Sequence, residues 1–140
     1  MTVTFFGHRN APKDIECELL KTIEALISQG ADKFYVGNNG NFDYMVRMTL
    51  KNLKESHPHI AYFMVLAYLP NERDKFTDYS ISIYPEGLEN VPPRFAIDRR
   101  NRWMVRSSDT VVTYVNRGYG GAAKFKEYAE KSGKHVINLG

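Results

Sequence analysis

The stretch Ser107-Ser108-Asp109-Thr110-Val111-Val112-Thr113-Tyr114-Val115, followed by Gly118-Tyr119-Gly120-Gly121-Ala122-Ala123 and Lys124-Phe125-Lys126-Glu127-Tyr128-Ala129, decides how the chain is read. β-Branched residues dominate its first part, as in a buried strand. Glycine then lets the backbone turn sharply and leaves room beside it, and the turn opens directly into a helical pattern. The first N–H groups of such a helix, with the positive end of its dipole, favour a phosphate.

Outward from this unit the same alternation continues. Residues 2–6 form a short apolar strand that ends at Gly7-His8-Arg9. Helical spacing follows over 12–29, where Ile15, Leu19, Ile23, Leu26 and Ile27 make one apolar stripe. Pro12 suits its first turn and Gly30 the position past its last. A second strand, 33–36, runs into Gly37-Asn38-Asn39-Gly40-Asn41, and Phe42, Met45, Val46, Leu50 and Leu53 mark a second helix ending before Pro58. Residues 60–69 are a near-continuous apolar run of the kind buried on both faces. A helix at 94–107, a strand at 109–115, a helix at 120–132 and a last strand at 135–139 complete the pattern. Strands alternating with helices predict an α/β fold, a mostly parallel five-stranded sheet with helices on both faces.

Residues 70–93 resist this reading, with Pro70, Pro85, Pro92 and Pro93 around Phe76, Tyr79 and Tyr84. A structureless loop of that length is uncommon, so the segment is either a functional lid or holds a further short element.

The 140 residues are expected to form one domain with a real core. No apolar run approaches the roughly 20 residues of a membrane span. The N-terminus lacks a secretory pattern, and the lone Cys17 cannot pair within the chain, so a reducing cytoplasm is expected. The formal net charge of +3 fits an anionic small ligand. It falls far short of the basicity of a dedicated nucleic-acid binder, which makes nucleic acid an unlikely partner on this count.

In an open parallel sheet, ligands bind outside the carboxyl ends of the strands, where strand order reverses. Three loops are expected to meet there: Phe6-Gly7-His8-Arg9, Gly37 to Asn41, and Gly118 to Ala123. Tight turns explain any one glycine loop; three on one edge point to a nucleotide-like site. Its ligand-binding residues would be Gly7, His8, Arg9, Gly37, Asn38, Asn39, Gly40, Asp43, Gly120, Gly121, Ala122 and Ala123. Asp43 either complements a helix dipole or holds a ribose hydroxyl.

Five arginines cluster between Arg94 and Arg106. At about 100° per residue, Ile97, Met104 and Ser108 define the inward face of their helix. Arg99, Arg102 and Arg106 fall opposite, on a solvated surface. Arg100 alone flanks the inward stripe, as an anion ligand or as a partner for a carboxylate. Glu127, about two turns into the last long helix, is an ordinary exposed glutamate unless a phosphate on the glycine turn brings a sugar to it. His57-Pro58-His59 lacks the further ligands of a zinc site, and no metal or cofactor is expected. Cys17 has no nucleophile signature, and Trp103 is read as packing or as an oligomer contact, with a homodimer left open.

These residues resemble a family. Arg100-Asn101-Arg102-Trp103-Met104, then Asp109 and a strand, then Gly120 to Glu127, is similar to the C-terminal half of the SLOG superfamily. That group includes the LOG-type nucleoside-monophosphate phosphoribohydrolases. The opening Phe6 to Arg9 and the middle Gly37 to Asp43 resemble small bacterial and phage SLOG proteins. The resemblance implies a Rossmann-like three-layer fold and a site for a nucleotide-derived small molecule, ADP-ribose-like or cyclic. In the phosphoribohydrolases an arginine and a glutamate serve cleavage of the base–ribose bond, and Arg100 and Glu127 fall on those catalytic positions. Asn101 replaces the pattern's lysine, Ala123 its third glycine and Lys124 its threonine, and no proline precedes Gly120. Binding of a nucleotide-derived molecule is therefore the leading expectation, with N-glycosidic hydrolysis of nucleoside monophosphates as the alternative.

Overall fold

A computed structural model describes residues 1–69 and 81–140. Its strands are β1 (Thr2–Gly7), β2 (Lys33–Val36), β3 (Ala61–Val65), β4 (Ser82–Ile83), β5 (Thr110–Tyr114) and β6 (His135–Asn138). They form one sheet in the order β4-β3-β2-β1-β5-β6, with every neighbouring pair parallel. The connecting helices are α1 (Glu16–Ser28, entered through a 3-10 turn at Lys13–Ile15), α2 (Gly40–Ser56), α3 (Pro93–Arg106) and α4 (Gly121–Lys131). The expected Rossmann-like α/β architecture is present.

Alternation along β1 sets the layers. Val3 and Phe5 pack with Leu19 and Ile23 of α1 and Phe42 and Val46 of α2. Phe6 points to the opposite face, against Met104 and Val105 of α3 and Phe125 and Ala129 of α4. A strand covered on both faces must be apolar at successive positions, which is why the central strands read as continuous runs. Trp103 packs with its ring 4.9 Å from that of Tyr35. Among the described residues no helix is long and apolar enough to cross a membrane.

The sheet has six strands where the sequence pattern predicts five, and all are parallel rather than most. The additional strand is β4, whose Ser82 and Ile83 pair with Met64 and Val65. Two residues are too few to carry a readable period, and Pro85 stops the strand from lengthening. Residues 70–93 thus do contain short elements, β4 and a 3-10 turn at Leu88–Asn90. The lid expectation falls in part on residues 70–80, which lie outside the described residues.

From β1 the chain steps outward through β2 and β3 to β4, then returns to lay β5 against the other side of β1. Strand order therefore reverses between β1 and β5. That reversal opens a crevice at the carboxyl edge.

Candidate functional site

A cavity of about 250 Å³ lies at that edge. Gly7, His8 and Arg9 reach it from the end of β1, and Gly37, Asn39 and Asp43 from the loop after β2 and the first turn of α2. Arg117, Gly121 and Ala122 come from the turn after β5, while α3 presents Ile97, Arg100, Asn101 and Met104. The three glycine loops expected to converge do so around one recess.

Two of those loops are fastened to each other. Asn41 N–H donates to Arg9 C=O at 2.8 Å. A Cβ on Gly40, whose φ is +88°, would stand 2.7 Å from Arg9 Cα, so the approach requires glycine. A Cβ on Gly7 would overlap the buried Phe42 ring, and one on Gly37 would lie 2.6 Å from Asp43 Oδ2. These glycines are spent on contacts within the protein.

Inside this frame sits a buried charge network. Arg100 is 2% exposed. It donates from Nη1 to Val65 C=O at 2.9 Å and to Asn38 Oδ1 at 3.2 Å, and from Nε to Asn101 Oδ1 at 2.7 Å. Burial pulls its pKa down, with Asp43 and Tyr68 acting in the other direction. The guanidinium nonetheless keeps its charge. Asp43 accepts the Asn39 N–H at 3.0 Å. Burial raises its carboxyl to about 6, against the opposing pull of that hydrogen bond and of Arg100, Arg47 and Arg9.

His8 is buried, and its Nε2 accepts the Asn116 N–H at 3.2 Å. Burial lowers its pKa and the neighbouring Arg117 lowers it further. A neutral ring with Nε2 unprotonated fits both facts. His8 therefore holds the turn after β5 in place and is not set up as an acid. Arg117 itself was not foreseen as a site residue. Its Nε is buried without a hydrogen-bond partner among the described residues, and its guanidinium lies 5.0 Å from the Tyr119 ring centroid. Its only sequence signal is its place between a buried strand and a glycine turn.

Asn38 supports Arg100 from behind the wall. Gly120, with φ +97°, shapes the entry to α4 without lining the cavity. Ala123 and Glu127 open onto a shallower groove beyond Arg117. There the Glu127 side chain is 65% exposed and meets Lys131 Nζ at 2.9 Å. The structure does not bring Glu127 to the cavity or near Arg100. Lys124, where the family pattern has threonine, instead pairs with Asp98 of α3, which also takes Arg102. Arg99 and Arg106 are exposed, as their helical phase requires.

Two solved structures similar to this chain are of DNA processing proteins. DNA processing protein A from Helicobacter pylori, described for its single-stranded DNA binding mode, superposes with a TM-score of 0.69 at 16% identity, over 99% of this chain and 64% of that one. DNA processing protein A (DprA) from Streptococcus pneumoniae gives 0.70 at 19%, over 98% and 49%. The chain thus spans about half to two thirds of their lengths, and the likeness is one of fold. No family model matches the sequence, and no curated protein matches it.

These neighbours correct two expectations. A small-molecule nucleotide site, hydrolytic or not, was expected, with nucleic acid set aside as a partner. The fold found here is instead shared with a protein described by its binding of single-stranded DNA. Net charge averages over the whole surface, whereas the cavity wall gathers three arginines against one aspartate.

Proposed function

We propose that residues 1–140 are one SLOG-like domain that binds single-stranded DNA across the carboxyl edge of the sheet. The observation that carries this reading is the cavity wall, where Arg9, Arg100 and Arg117 converge from three separate segments at the β1/β5 reversal. Arg117 brings its charge to the wall from the turn after β5, where a phosphate oxygen can accept from a guanidinium N–H. The first N–H groups of α4, at Gly121 and Ala122, have no carbonyl within the helix and line the same recess.

The shape argues for an unpaired strand. Duplex grooves are read by a helix or ribbon that projects into them. Here the cations sit in a recess, which a flexible single strand can enter with one nucleotide and a rigid duplex cannot. A cytoplasmic setting agrees with this role.

Fluorescence anisotropy of labelled oligo-dT, about 20 nucleotides long to cover a site of this class, against a duplex of equal length tests the reading. The strand is expected to bind at least tenfold tighter. Log Kd should change with log salt at a slope of about 2, from three arginines at roughly 0.7 each. Absence of strand binding at low salt, or equal affinity for duplex, contradicts it.

A further inference from the structure

Tyr119 is 70% exposed, the highest value among the large hydrophobic residues described. Scattered surface aromatics are ordinary, but two observations set this one apart. Arg117 lies over its ring at 5.0 Å, and that same arginine lines the cavity with its Nε buried and unpartnered. Ring and recess are thus joined through a single side chain. Glycines stand on either side, at 118 and 120, and a Cβ at Gly118 or Gly121 would meet nothing within 4 Å. Among the described residues the turn is therefore open at these two positions.

We propose that Tyr119 is a stacking platform for one base of the bound strand, with Arg117 joining that base to the adjacent phosphate in the cavity. The inference rests on the strand-binding reading. An aromatic ring offers a π-face that any base can use. The guanidinium against the ring adds a cation–π contact and holds it in a fixed attitude. Arg117 is then shared: its planar face supports Tyr119, while its guanidinium charge serves the phosphate one step along the chain. Such a platform accepts single strands and gives little preference among bases. In a duplex the base faces are already stacked, so the same ring has nothing to receive.

The test uses oligo-dT strands carrying one 2-aminopurine, moved position by position. Binding to the wild-type protein is expected to quench the fluorophore at one register. Tyr119→Ala should abolish that quench and weaken binding about tenfold, within the range a base–aromatic stack supplies, and Tyr119→Phe should keep both. An abasic nucleotide at the same register should weaken wild-type binding to the level of Tyr119→Ala, with no additional loss when the two are combined. Because Tyr119 is exposed, the thermal midpoint should not move. Unchanged quenching and affinity within twofold for Tyr119→Ala would overturn the platform while leaving strand binding intact. Failure of the wild-type protein to bind any strand would overturn both.

Discussion

Two glycine loops leave the sheet at the same edge and are built for opposite purposes. In the loop after β2, Gly37 makes room for Asp43, Gly40 lets the chain press against Arg9, and Asn38 and Asp43 are already committed to Arg100 and the Asn39 N–H. In the turn after β5, a Cβ at Gly118 or Gly121 would meet no described atom within 4 Å, Tyr119 stands in solvent, and Arg117 Nε has no partner among the described residues. Glycine in the first loop permits closeness within the protein; in the second it keeps a surface clear. The first is a frame, and the second is the receiving face of the proposed strand site.

The largest effects that would break this contrast concern the frame. Gly7→Ala drives a methyl into Phe42, which is fully buried and has no room to yield. A loss of about 1–3 kcal/mol or more is expected, read as a lowered midpoint in chemical denaturation. A midpoint unchanged from wild type would show that the close approach at Gly7 is not needed.

Asp43 gives a pH test of the same frame. Its carboxyl is raised from 3.8 to about 6, so the folded state holds a proton that the unfolded chain has released. The contribution to stability is complete below about pH 4 and is lost as pH rises through 6. That amounts to about 3 kcal/mol at roughly 1.4 per unit. Asp43→Asn does not titrate, so its stability relative to wild type should rise between pH 4 and 7. Thermal melts at matched pH values measure this, and a constant difference across the range would refute it.

On the receiving face, Arg117→Ala should weaken strand binding by about 1.5–3 kcal/mol, the worth of a charge-assisted hydrogen bond. It should also lower the salt slope by about 0.7, with little change in stability. Gly121→Val should weaken binding by about 1.4 kcal/mol, or tenfold, since Gly121 lines the cavity and a Cβ there meets no described atom within 4 Å. A variant that lost stability instead of affinity would make this turn a frame like the other. Smallest of all, Arg99→Ala and Arg106→Ala lie on the exposed face of α3 and should alter affinity by no more than screened attraction allows.

The sequence made the layered fold and the meeting of three loops legible because both follow from period and topology alone. Helical phase also singled out Arg100 among five neighbouring arginines, and that side chain is buried in the cavity wall. The sequence could not show which polar groups the protein uses for itself. Asn38 and Asp43 look free to bind a ligand until Arg100 and the Asn39 N–H are seen against them. Glu127 matched a motif position, yet it lies five residues beyond Ala122, about 140° around α4 at 100° per residue. It therefore turns toward Lys131 and solvent. Arg117 had no periodicity to mark it, and a net charge of +3 concealed the local gathering of cations.

Amide hydrogen exchange with and without saturating oligo-dT addresses most directly where the strand lies. Protection is predicted at residues 7–9 and 116–123. No change is predicted in the groove between α1 and α2, where Leu20, Tyr44 and Met48 lie among Glu16 and Glu24. Protection in that groove, with the carboxyl edge unaffected, would contradict the account.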